Sequence, residues 1–140
     1  MKRAAYALTP ENYGTACDLA GSALLRRVPA ASTVLQITAG GVWNEFSTGV
    51  YIAADFENVI RYTGSAIRER SVGDRIQEHV LHDRAKKWIR LMVVPLAADT
   101  DEDLVRRFEG RIGAVLRPLD NQRLPTIGAP RRPTRRGASQ

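Results

Sequence analysis

The stretch GVYIAADFENVIRYTGSA, residues 49–66, decides how this chain is read. Two short runs of strand-forming residues flank a polar centre, Asp55-Phe56-Glu57-Asn58, which is the pattern of a β-hairpin. The spacing predicts strands near 50–54 and 59–63. Each run also carries a tyrosine close to a glycine, as Gly49-Val50-Tyr51 and as Tyr62-Thr63-Gly64. A hairpin needs neither pair. Tyrosines on adjacent strands serve cross-strand packing or a shared polar site, and the hairpin alone does not separate the two.

Upstream, Thr9 stands as an N-cap, Pro10 suits the first helical position and Glu11 complements the helix dipole. Tyr13, Cys17, Ala20 and Leu24 recur at helical spacing, so residues 9–27 are expected to be a helix closed by Pro29. Residues 33–38, Thr-Val-Leu-Gln-Ile-Thr, are expected to be a strand broken by Gly40-Gly41. Downstream, residues 67–71 form a charged loop ending at Ser71. A helix over 72–86 follows, with Val72, Ile76, Val80 and Leu81 on its inner face. Residues 88–94 alternate as a strand stopped by Pro95, with Ile89, Leu91 and Val93 on one face and Trp88, Arg90, Met92 and Val94 on the other. Thr100 and Asp103 have capping-box spacing at the start of a helix over 101–116. Its stripe is Leu104, Phe108, Ile112 and Val115, and Pro118 ends it. This order gives an α/β chain of the α+β type: a small, mainly antiparallel sheet flanked by helices.

At 140 residues the chain allows one domain with short extensions. No apolar run approaches the roughly 20 residues that span a bilayer, and no apolar segment follows the basic start Met1-Lys2-Arg3, so neither a membrane partner nor a signal peptide is expected. Cys17 is the single cysteine. It excludes an internal disulfide and fits a reducing, cytoplasmic compartment. Net charge is +6. Four of those charges, Arg131, Arg132, Arg135 and Arg136, sit on residues 126–140, which hold no acidic residue, leaving +2 over residues 1–125. That Pro/Gly/Arg-rich tail has little to bury and is expected to be disordered. It suits phosphate binding by counterion release and equally a solubilising end.

The remaining polar residues group beside the predicted apolar faces. Arg75 and His79 are four apart on one helix and share a face. Glu109 follows Phe108 at the edge of the last helix. Asn121 lies just beyond Pro118, in a turn that can fold back. Each has an ordinary structural role open to it: Tyr51 and Tyr62 as packing aromatics, Arg75 paired with Glu78 or Asp74, His79 as a surface histidine, Glu109 paired with Arg106 or Arg111, Asn121 as a turn residue. Together, two tyrosines, an arginine, a histidine, a carboxylate and an asparagine are the parts that phosphodiester cleavage needs: a cation near the non-bridging oxygens, a metal-holding carboxylate and a proton acceptor.

In that order and on those elements, the residues resemble the GIY-YIG nuclease family. Gly49-Val50-Tyr51 matches its first motif and Tyr62-Thr63-Gly64 its second, with Thr63 in place of the usual isoleucine. Arg75 matches its helix arginine, His79 the histidine found in several members, Glu109 its metal-binding glutamate, and Asn121 in Pro118-Leu119-Asp120-Asn121 its asparagine. The match covers about residues 48–122, and the Arg-x-x-x-His form is similar to that of certain restriction endonucleases of the family.

The resemblance implies a nuclease domain over 48–125, preceded by a helix–strand extension over 1–47 that packs on it or forms an oligomer surface. It implies an endonuclease cutting DNA, or RNA, with one Mg²⁺ or Mn²⁺ held by Glu109. Arg75 would neutralise the phosphate, Tyr51 would take a proton from water with His79 as relay or base, and Tyr62 would position phosphate or water. Gly49 and Gly64 would serve the backbone, and Asn121 would brace the site. Lys86 and Lys87 are weaker candidates for flanking phosphates. The resemblance leaves specificity low or supplied by a partner protein, with a homodimer or two visits needed for double-strand cleavage. Restriction, phage defence and repair are the settings expected; a toxin-like nuclease and a non-catalytic nucleic-acid-binding protein are the alternatives.

Overall fold

The computed structural model describes residues 6–28, 30–82 and 85–121. The basic tail, Pro29 and residues 83–84 of the helix expected over 72–86 lie outside them. Among the described residues the chain is α+β: a four-stranded, wholly antiparallel sheet flanked by helices. No helix among them is long and apolar enough to cross a membrane.

Helix α1 spans Pro10–Ala20, with Thr9 accepting a hydrogen bond from the Asn12 N–H at its start. It is shorter than the expected 9–27, because Gly21 takes a positive φ and a single 3₁₀ turn, Gly21–Ala23, follows. Strand β1 is only Ser32–Thr33. The expected strand over 33–38 is instead helix α2, Val34–Gly40. Its β-branched content favours a strand, but its ends favour a helix. Thr33 and Gln36 form a reciprocal capping box at the start, and Gly41 supplies the left-handed residue at the end.

The hairpin forms from β2, Thr48–Ala54, and β3, Ile60–Ile67, both longer than expected. Asp55 builds the turn. Its Oδ1 accepts from the Glu57 and Val59 N–H groups, and its Oδ2 takes the Arg61 guanidinium at 2.9 Å. Burial alone would push the Asp55 carboxyl up, but these donors outweigh it and hold the group below its ordinary value.

Helix α3 runs Val72–Leu81, with Ser71 and Asp74 as a capping box. It stops short of the expected residue 86, and its inner stripe is Val72, Ile76 and His79. Val80 and Leu81, expected inside, are exposed. Strand β4 is Arg90–Pro95. Trp88, expected on the face of Met92 and Val94, precedes the strand and packs with Leu91 and Val93, while Ile89 is exposed. Helix α4 spans Glu102–Leu116 with Asp101 as N-cap and no side-chain cap bond. The Thr100–Asp103 capping box is absent because the Thr100 hydroxyl donates to the Ala97 carbonyl. The buried stripe is Val105, Phe108, Ile112 and Leu116; Leu104 is half-buried and Val115 exposed.

The strand order is β1-β4-β2-β3. Central β2 is buried along its whole length, and alternation sends its residues to two cores. Val50, Ile52 and Ala54 join α1 and α4 on one face. Tyr51 and Ala53 join α2, α3 and Trp88 on the other. The side of β4 beyond the two-residue β1 and the first half of β3's outer edge each find further partners. On β4, the Tyr13 hydroxyl donates to the Val93 carbonyl at 2.6 Å and accepts from the Val28 N–H. On β3, the N–H groups of Leu119 and Asp120 bond to the carbonyls of Ile60 and Arg61. Asn121 then clasps the Thr63 peptide, accepting from its N–H at 2.9 Å and donating to its C=O at 3.0 Å.

Candidate active site

In the first core the Tyr13 hydroxyl bonds to backbone groups, whereas the second core sets a tyrosine hydroxyl against a histidine ring. Tyr51 leaves β2 on the α3 side and is fully buried. Its hydroxyl lies 2.6 Å from Nε2 of His79, which α3 brings in as the last residue of its buried stripe. Four rings gather here. Tyr62 stacks near Trp88 with centroids 5.2 Å apart, and His79 meets Tyr62 and Trp88 edge-on, each at 5.3 Å. Aromatic pairs favour these separations and fix ring orientation.

Gly64 is what lets Tyr51 lie where it does. It stands opposite Tyr51 in the β2–β3 register, and a Cβ on Gly64 would overlap the Tyr51 hydroxyl. Gly49 has a parallel reason: its missing Cβ would come within 2.9 Å of the Val94 carbonyl. Both motif glycines are therefore close-approach positions.

A cleft of about 330 Å³ opens beside this cluster, along β3. Tyr51, Tyr62, Gly64 and Ser65 line it from the sheet, Arg75 from α3, and Arg106 and Glu109 from α4. Because β3 is the outer strand, the cleft draws on both faces of the sheet at once. Arg75 pairs with Glu78, which also binds Arg70, another cleft residue. Arg70 first, and then Arg75, hold the Glu78 carboxyl below its ordinary value. Glu109 accepts a hydrogen bond from Ser65 Oγ at 2.5 Å. Burial pushes the Glu109 carboxyl up; the Ser65 hydroxyl, Arg106 and Arg75 offset only part of that.

Of the residues expected in the site, Tyr51, Tyr62, Arg75 and Glu109 line one cleft, and His79 lies against the Tyr51 hydroxyl. Asn121 reaches the same strand from outside and holds Thr63, between Tyr62 and Gly64. Lys86 and Lys87 are exposed in a turn and are not among the cleft residues. Arg131, Arg132, Arg135 and Arg136 lie outside the described residues. Ser65 and Trp88 were not expected to take part. Trp88 carried a signal, as an aromatic just ahead of a strand. Ser65 carried only its place one residue after Gly64.

Glu109 and the more exposed Glu69 are the carboxylates of the cleft, and no group of three or more His, Cys, Asp or Glu side chains suited to a metal occurs among the described residues. A single hard oxygen ligand in a polar cleft with room for water is a donor set that Mg²⁺ accepts, since it keeps most of its hydration shell. Comparison of the chain with protein-family models, curated proteins and solved structures finds no match.

Proposed function

We propose that this protein is a metal-dependent endonuclease of the GIY-YIG kind, hydrolysing phosphodiester bonds in DNA. The observation that carries the proposal is the convergence of Tyr51, Tyr62, Arg75 and Glu109 on one cleft, with His79 bonded to the tyrosine hydroxyl. Those residues come from two strands and two helices, and ordinary packing does not call for their meeting.

In this account the phosphate enters the cleft and exchanges with Glu78 for the Arg75 guanidinium, which neutralises charge building on the non-bridging oxygens. Glu109 would hold Mg²⁺ or Mn²⁺, which when bound supplies positive charge at the leaving 3′ oxygen. The attacking water gives its proton to the Tyr51 oxygen as the Tyr51 hydroxyl proton passes to His79 Nε2. Free tyrosine, with a pKa near 10, is a poor base at neutral pH, and the 2.6 Å bond to His79 supplies the help it needs. The water oxygen bonds to phosphorus, the P–O3′ bond breaks, and the departing oxygen takes a proton from solvent. Tyr51 lines the cleft yet is fully buried, so substrate binding would have to admit the water to its hydroxyl. Asn121 holds β3 in register beneath these groups.

One such site cuts one strand, so double-strand cleavage needs a dimer or two visits, and a partner protein or second copy would supply sequence specificity. A nucleic-acid substrate and a single cysteine fit the cytoplasm. The test is incubation of the purified protein with plasmid, single-stranded DNA and RNA, in Mg²⁺, Mn²⁺ or EDTA. Metal-dependent cleavage lost in Glu109→Ala and Arg75→Ala is expected. Cleavage that persists in either variant overturns the mechanism, and binding without cleavage by wild type favours a nucleic-acid-binding role.

A further inference from the structure

Strand β3 deals its residues alternately to the two faces. Tyr62 and Ala66 turn toward α3, whereas Ser65 stands opposite Val50, whose side chain lies in the core beneath α4. Glu109 reaches the cleft from α4, one position after buried Phe108. The two meet at the cleft wall, where Ser65 Oγ donates to Glu109 Oε1. At 2.5 Å the contact has the length of a charge-assisted bond.

Three arginines also line this cleft, but each is taken by another carboxylate. Arg106 pairs with Glu102 at 3.0 Å, and Arg70 and Arg75 both pair with Glu78. Among the described residues, Glu109 is left with a neutral donor. That matters for a group meant to attract a cation: a paired guanidinium would cancel its charge, whereas a hydroxyl orients it and leaves the charge in place. A glutamate side chain also has rotamer freedom that must be lost on binding, and fixing one oxygen beforehand removes that cost from the binding event.

We propose that Ser65 is a positioning residue for the metal-binding carboxylate, its hydroxyl anchoring Glu109 Oε1 so that the side chain meets a divalent cation already oriented. This rests on the nuclease assignment above, in which Glu109 is the metal ligand. Partners of this kind change metal affinity about 10- to 100-fold when removed.

The experiment is Mn²⁺ binding to the full chain without nucleic acid, followed by water-proton relaxation, with thermal melting of each variant as the check on folding. Ser65→Ala is expected to weaken Mn²⁺ binding about 10- to 100-fold, and Ser65→Thr, which keeps the hydroxyl, to stay within about threefold of wild type. In plasmid cleavage, Ser65→Ala should need more Mn²⁺ to reach half-maximal rate yet approach the wild-type plateau. If Ser65→Ala binds Mn²⁺ like wild type while Glu109→Ala does not, the positioning role is wrong and the nuclease assignment stands. If Glu109→Ala itself binds Mn²⁺ like wild type, the assignment of the metal ligand fails, and the role of Ser65 fails with it.

Discussion

The two faces of the sheet share the same strands and are filled differently. Toward α1 and α4, β2 presents Val50, Ile52 and Ala54, and the space fills with aliphatic side chains, Met92 and Phe108. Toward α2 and α3, the alternate residues of that strand include Tyr51, and the neighbouring elements answer with His79, Tyr62 and Trp88. The first face buries mainly apolar side chains, and the Tyr13 hydroxyl there bonds to backbone groups. The second face buries a hydroxyl and an imidazole that satisfy each other, and it keeps a glycine, Gly64, where any side chain would strike the Tyr51 hydroxyl. The lesson is that one strand can serve both purposes, because a period of two keeps them apart.

The comparison breaks first if the aliphatic face is not the stronger holder of the fold. Ile52→Ala removes a fully buried side chain and should destabilise by about 2–5 kcal/mol in urea denaturation. Gly64→Ala tests the other face. The new methyl group meets the Tyr51 hydroxyl, so the cost should be about 1–3 kcal/mol, with a larger share of activity than of stability lost. If Gly64→Ala leaves cleavage untouched, the close approach has no functional meaning.

Asn121→Ala removes both bonds to the Thr63 peptide and should cost about 1–2 kcal/mol, read from thermal melting and from faster amide exchange at Thr63. The smallest effect fades in acid. The Asp55 carboxyl is held below its ordinary value, so the stability it contributes is complete above the unfolded value near 3.9 and is lost as pH falls through the folded one. The stability gap between wild type and Asp55→Asn should therefore be widest near neutral pH and narrow below about pH 4. A gap that stays constant in acid would show that Asp55 acts by shape alone.

Much of this was legible in the residues, and the failures have physical causes. The hairpin, its polar turn and the antiparallel sheet follow from the alternation on either side of Asp55-Phe56-Glu57-Asn58. Thr33–Thr38 misled because β-branched side chains speak for a strand, whereas the outcome turned on Thr33, Gln36 and Gly41 at the ends of α2. On α3 and α4 the periodicity was right and its phase was one residue off at the ends. His79 takes the inner place expected of Val80, and Leu116 that of Val115. An apolar residue beside a polar one does not reveal which is inside when the polar one finds a buried partner. For His79 that partner is Tyr51, 28 positions away. The Ser65–Glu109 bond was illegible for the same reason. It joins a strand to a helix 44 residues on, and nothing local in either segment signals the other.

The most direct test is the rate of plasmid cleavage by Tyr51→Phe in saturating Mn²⁺. The substitution keeps the ring and its stacking and removes only the hydroxyl that meets His79. The account predicts a variant that still folds cooperatively and cleaves about 100- to 10,000-fold more slowly than wild type. Cleavage at the wild-type rate would contradict it, and Tyr51 would then be a packing residue and nothing more.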